Sequence, residues 1–154
     1  MVSSTHVQTD YCNCGEIRQA ARHVTQFYDQ FLAPAGLRTT QFSVLSKLKR
    51  KGPMTINALA ADLVMDRTTL GRNVLPLQRD GLITIKPAIS DRRAKELRLT
   101  KAGEKRQQRA LQGWLQAQAR FETTFGIKRS AELRALLRTV VASEFTPAAQ
   151  FVDR

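Results

Sequence analysis

Two groups of side chains have the types and spacing to do chemistry, and both suit the recognition of a polyanion better than the making of bonds. The first is Arg67, Thr68, Thr69, Arg72 and Asn73. These are donors and acceptors of a length that reaches base edges or phosphates when they project from the opening turns of one helix. The second is Asp91, Arg92 and Arg93. Arginines on a hairpin tip have the width to enter an A·T-rich minor groove, where narrowness deepens the negative potential. The charge of Asp91 would repel phosphate, so its expected part is to hold a neighbouring arginine in place. Taken singly, each group could be a solvated face or a set of solubility charges. The basic tip follows the helix at the distance recognition requires, and that favours the nucleic-acid reading.

No arrangement supports catalysis, so no catalytic residue, metal site or cofactor is expected. His6 falls in a polar N-terminal stretch and His23 in a helix, and neither has a Ser or Cys nucleophile with an orienting acid at a recognisable spacing. Helix-borne His23 reads as an ordinary packing or surface histidine. Acidic residues are scattered singly, and there is no glycine-rich phosphate loop. Cys12 and Cys14 are left with three readings: idle thiols, a thiol sensor, or part of a structural metal site. One residue apart, they cannot point the same way on a strand or a helix, so joint chelation needs an irregular turn, which Asn13 and Gly15 permit.

The totals agree with a nucleic-acid partner. In 154 residues, 25 Lys and Arg stand against 13 Asp and Glu, a net charge of +12 and a pI near 10.7. That is more positive than solubility requires. One domain with a real core fits this length. No apolar run approaches the ~18 residues of a membrane span, and the charge lacks the separate lysine-rich face of a helix lying on a membrane. The opening MVSSTHVQTDYC lacks the basic and apolar regions of a signal peptide, which predicts a cytoplasmic chain with reduced cysteines. Charge alone also admits a sequence-indifferent nucleoid or RNA-binding protein.

The elements that must position these side chains follow from periodicity. From Glu16 to Ala33, Ile17, Ala20, Ala21, Val24, Phe27, Tyr28, Phe31 and Leu32 recur at helical spacing, predicting one broad buried face, and Pro34 and Gly36 stop the helix. Thr40 opens a second helix with Phe42, Val44, Leu45 and Leu48 inside and Lys47, Lys49, Arg50 and Lys51 at its end. Those four cations suit the helix dipole or add phosphate contacts. Thr55 caps a third helix carrying Ile56, Leu59, Ala60 and Leu63. After a short turn, Asp66 caps a fourth, from Arg67 to about Asp80, which Gly81 ends. Pro76 lies inside that helix, where it removes the bond to Arg72 and predicts a kink beyond the base-reading residues. Leu82–Lys86 and Lys95–Leu99 alternate as a hairpin with Ile83, Ile85, Leu97 and Leu99 on one face. Thr100 caps a long helix to about Phe125, Gly126 closes it, and a last helix runs from about Lys128 to Phe145. The first and last two helices are too apolar on their exposed stripes for a lone lobe, which predicts a second copy against them.

In order and at this spacing, the helix opening DRTTLGRN, the turn RDGLI, the wing DRR and the LTKAG that launches the next helix resemble the MarR family of dimeric winged-helix repressors. The likeness extends over roughly Cys12 to Phe145. It implies a mainly α fold with a small β-hairpin wing, a winged helix-turn-helix with N- and C-terminal dimerisation helices. In a single domain, residues 12–35 and 101–145 would form the dimer, 38–100 the winged lobe, and 1–11 and 146–154 flexible ends. It further implies a homodimer on a palindromic double-stranded operator, repression rather than activation, and a wing in which Arg93 holds the more regular position. Some members sense peroxide through a cysteine near the start of the first helix, which bears on Cys12 and Cys14. A small aromatic acid near Phe27, Tyr28 and Phe42 is the competing signal. One departure concerns the backbone: where members commonly carry glycine in the turn before the recognition helix, this chain has Val64, a β-branched residue ill-suited to a left-handed conformation.

Overall fold

The buried residues recur at the spacings the sequence predicts, and in the computed structural model, which describes residues 12–145, they join six helices to a small sheet. The elements are α1 (Asn13–Leu32), α2 (Thr39–Lys51), β1 (Met54–Thr55), α3 (Ile56–Asp62), α4 (Arg67–Arg79), β2 (Ile83–Pro87), β3 (Lys95–Leu99), α5 (Lys101–Phe125) and α6 (Ile127–Ala142). The arm holding His6 lies outside the described residues. The fold is mainly helical with a three-stranded antiparallel sheet ordered β1-β3-β2. The expected hairpin forms in register, with Ile83 opposite Leu99 and Ile85 opposite Leu97. Met54–Thr55 adds a third strand that sequence reading missed, Met54 pairing with Leu97. Two residues are too few to show an alternation.

The chain divides into two compact units, the boundary in the sequence falling within α5. In the first, up to Ala117, Phe42, Val44, Leu45 and Leu48 of α2 are buried as expected, with Leu70, Val74 and Leu77 of α4 and Leu97 of β3 beside them. Those three α4 side chains fix the face of the helix that points inward, each contributing roughly 1.5–3 kcal/mol on burial. The backbone of α4 stays helical through Pro76 to Arg79, and the Asp80 N–H closes the next turn on the Pro76 carbonyl at 2.9 Å. In the second unit, from Gln118, Glu122 accepts hydrogen bonds from Gln118 (2.8 Å) and Arg134 (2.9 Å), which lower its pKa in that order.

Several boundaries differ from expectation for identifiable reasons. α1 starts at Asn13, so Cys12 through Gly15 form a helix start and no irregular turn: the Cys12 Sγ accepts from the Gly15 N–H at 3.3 Å as the N-cap. α2 begins at Thr39, because Asp29 reaches across from α1 to accept from both the Thr39 N–H and its hydroxyl, each at 2.7 Å. α6 ends at Ala142, where the Ser143 hydroxyl turns back onto the Thr139 carbonyl (2.8 Å), and Phe145 lies outside it. The broad face of α1 is buried within this chain only at Leu32, while Ile17, Ala20 and Ala21 are exposed.

Candidate nucleic-acid interface

The turn before α4 has the hydrogen bonds of a Schellman motif. The Met65 N–H meets the Ala60 carbonyl at 2.8 Å and the Val64 N–H meets that of Ala61 at 3.1 Å. Val64 occupies the left-handed position at φ +52°, so the turn keeps the geometry glycine would allow despite a β-branched side chain. Asp66 then caps α4, accepting from the Thr69 N–H at 2.8 Å and from its hydroxyl at 2.6 Å. The Thr69 hydroxyl and then its N–H hold the Asp66 carboxyl below the usual carboxylate range.

This arrangement sorts the residues at the start of the helix. Arg67, Thr68 and Arg72 project from the exposed side. Thr69 gives its hydroxyl proton to Asp66, and the Asn73 side-chain amide donates to the Thr69 carbonyl at 2.8 Å. Asn73 therefore keeps its side-chain oxygen and its second amide hydrogen for a base edge.

The wing tip is built as firmly. Its ends are joined by the Ala88 N–H on the Ala94 carbonyl at 2.8 Å, and the Ala94 N–H bonds the Asp91 carbonyl at 3.0 Å. The Asp91 carboxylate accepts from the Arg93 N–H at 2.9 Å, so it fixes the main chain beneath Arg93. Arg92 and Arg93 are exposed. A cleft of about 450 Å³ between α3, the start of α4 and the wing is lined by Asn57, Arg67, Asp91, Arg93 and Lys95, among others. A second of similar volume, between the outer face of α4 and the wing, is lined in part by Gly71, Leu75, Gln78, Lys86, Arg92 and Arg93. Of the α4 group, Arg67 shares a cleft with Asp91 and Arg93 of the wing, whereas Thr68, Thr69, Arg72 and Asn73 line neither cleft. Asn57 of α3 and Lys86 and Lys95 of the strands also line these clefts, a placement visible only in tertiary structure.

Other candidates are placed elsewhere. Lys47 and Lys51 of α2 both bind Asp62 of α3, the Lys51 pair at 2.7 Å, and these two, Lys47 first, bring the Asp62 pKa down to about 2. Lys49 donates to Gln107 and Gln108 of α5. The end of α2 is therefore largely engaged in tying helices together. Phe42 is buried and stacked on Trp114 with ring centroids 6.3 Å apart, while Phe27 packs edge-on against Tyr28 and Phe31. The clefts beside α4 are lined by none of Phe27, Tyr28 or Phe42. Cys12 and Cys14 are both exposed. His23 lies on an exposed part of α1, in a shallow cleft with Glu16, Arg22 and Gln26. Among the described residues no group of three or more His, Cys, Asp or Glu could hold a metal, and no helix is long and apolar enough to cross a membrane.

One lock joins the interface to the body. The Thr100 hydroxyl donates to the Gly81 and Leu82 carbonyls (2.7 and 3.1 Å) and accepts from the Gly103 N–H (3.0 Å), capping α5 against the turn that ends α4. A Cβ on Gly103 would lie 2.0 Å from the Leu82 carbonyl oxygen. RDGLI and LTKAG are thus two halves of one joint.

Known proteins share this arrangement. The MarR family model matches residues 37–95, the stretch from the start of α2 to the far side of the wing. The uncharacterized HTH-type transcriptional regulator YwoH of Bacillus subtilis (strain 168) is 33% identical over 91 residues, 59% of this chain and 66% of that protein. The crystal structure of the M. tuberculosis transcriptional regulator MosR is 33% identical, with a TM-score of 0.73 over 87% of this chain and 98% of its own. MosR has also been solved in complex with DNA, at 34% identity and the same TM-score, over 87% of this chain and 99% of that one. With the family model on the lobe that holds α4 and the wing, and a solved regulator matched along almost its whole length, the chain belongs to the MarR family.

Proposed function

We propose that the chain acts as a homodimeric, sequence-specific DNA-binding regulator of transcription, a repressor on an imperfect palindrome with half-sites about one helical turn apart. In this reading the start of α4 enters the major groove with Arg67, Thr68, Thr69, Arg72 and Asn73, and the wing lays Arg92 and Arg93 in the flanking minor groove. The observation that carries it is a capped, exposed, arginine-bearing helix start beside a wing tip pinned by Asp91, on a chain of net charge +12. The MosR complex with DNA supports it by likeness. Competition between a selected operator and random duplex tests it. A regulator holds its operator ~10³-fold or more tighter, whereas equal affinity would favour a sequence-indifferent nucleoid or RNA-binding protein.

For the releasing signal, the cysteines have the better support. Phe42, one of three residues around which an aromatic acid would bind, is spent in the core, whereas the Cys12 sulfur is exposed and is the N-cap acceptor of α1. Peroxide carries a thiol to sulfenic acid, and arsenite captures thiols. Either change alters the cap of a helix assigned here to the dimer. The Cys12→Ser/Cys14→Ser double variant keeps a good cap, since serine is a favoured N-cap residue. It should hold operator through peroxide or arsenite treatment that releases the unaltered chain. If both proteins release, or neither does, the thiols are not the switch.

A further inference from the structure

Ile89 stands in the wing tip with its side chain 89% exposed, the highest value among the exposed large apolar side chains of the described residues. It directly follows Ala88, which is buried and whose N–H closes the tip on Ala94. The backbone carrying Ile89 is therefore fixed at the point where the wing leaves the core. A β-branched side chain has few χ1 states to lose when it docks. Arg92 and Arg93 lie three and four residues further on in the same tip, both exposed, with Arg93 fixed through its amide by Asp91. An apolar side chain presented to water on a hydrogen-bonded tip gains nothing for solubility. It has the right chemistry for a minor groove, into which many DNA-binding proteins insert Ile, Leu, Met or Phe.

We propose that Ile89 is a specificity-determining residue: it packs against the minor-groove floor beside the wing arginines and selects A·T over G·C, because the 2-amino group of guanine projects from that floor where the isoleucine must sit. The inference rests on the DNA-binding reading above, and adds a steric test of sequence to the electrostatic test made by the arginines. Arginines prefer a narrow groove; Ile89 would reject a filled one.

The experiment measures binding of the unaltered chain, Ile89→Ser, and Arg92→Ala/Arg93→Ala to three duplexes that differ only at the flanking base pairs under the wing: A·T, G·C, and inosine·C, which has the G·C major-groove face but lacks the 2-amino group. The unaltered chain should bind the A·T and inosine duplexes alike and the G·C duplex roughly ten-fold more weakly, in the range of a single mismatched pair. Ile89→Ser should lose most of that discrimination, keeping only the share the arginines make through groove width, with an unchanged salt slope, because no phosphate contact is lost. If Ile89→Ser discriminates as strongly as the unaltered chain, or inosine is rejected like guanine, the proposal is overturned. If the double arginine variant also behaves like the unaltered chain on every duplex, the wing reading itself falls. A loss confined to the arginine variant removes only Ile89.

Discussion

At the scale of single residues, Val64 and Gly81 solve one problem with unequal means. Both sit at the left-handed position of a Schellman turn, Val64 after α3 at φ +52° and Gly81 after α4 at φ +69°, where Leu82 bonds Leu77 at 2.8 Å and Gly81 bonds Gln78 at 3.0 Å. Glycine adopts that conformation freely, whereas an L-residue with a Cβ is held there at a cost of about 1–2 kcal/mol. The Val64 side chain is 73% exposed, so little packing offsets the strain. Val64→Gly should therefore stabilise the protein by about 1 kcal/mol, after the extra freedom of glycine in the unfolded chain is counted, raising Tm by roughly 2–4 °C. A lower Tm in a thermal melt would contradict the assignment of strain. Asp62 gives a second prediction. Its pKa is lowered to about 2 by Lys47 and Lys51, below its ordinary value near 4. A depressed carboxylate contributes stability that is present above the unfolded pKa and lost as pH falls through the folded one. Stability should thus decline between about pH 4 and pH 2, and Asp62→Asn should be less stable at neutral pH with a shallower decline over that window. Denaturant midpoints across the range give the answer, and an unaltered slope would show that the triad contributes nothing.

At the scale of elements, what was legible in the sequence was whatever is settled over short distances. Thr55, Asp66 and Thr100 declare their helices because a side-chain oxygen and the N–H three residues on are enough to make a cap. The hairpin declares itself by alternation, and the recognition helix by polar donors on one side with Leu70, Val74 and Leu77 on the other. The Asp29 cap on α2 was hidden because its donor and acceptor lie ten residues apart in two elements. The Cys12 cap was hidden because sulfur is an unusual acceptor there, and β1 because it is short. The joint between RDGLI and LTKAG showed only as two motifs, since the contact of Gly103 with Leu82 belongs to tertiary structure. That contact separates two helical glycines by their surroundings in space. Gly103→Ala should cost 1–3 kcal/mol or more through the clash with backbone. Gly71→Ala, in α4 with nothing within 4 Å of an added Cβ, should be neutral or gain up to about 1 kcal/mol of helix propensity. Equal melting temperatures for the two variants would refute the close approach at Gly103.

At the scale of the whole molecule, the exposed apolar side chains of α6 are the largest feature one chain leaves without a use. Leu136, Leu137, Val140 and Val141 are 66%, 42%, 40% and 67% exposed, and Ile17 of α1 is exposed too. A helix apolar on this much of its surface is expected to be covered by protein, and a second copy is the occupant the proposed palindromic operator requires. Leu137→Glu would place a charge in that interface, so it should give monomers that lose the operator. Light scattering that gives a monomer mass for the unaltered chain at micromolar concentration would remove the dimer and the operator geometry with it. The claim on which the rest depends is that α4 reads bases, and Arg72 tests it most directly, since it is exposed on the opening turns of the helix while Asn73 is tied back to Thr69. The measurement is the affinity of Arg72→Ala for a selected operator and for random duplex at one salt concentration. A side chain on a base edge should cost about 1–3 kcal/mol on the operator and almost nothing on random duplex, whereas equal losses on both would mean that Arg72 touches only phosphate and that α4 does not read the sequence through it.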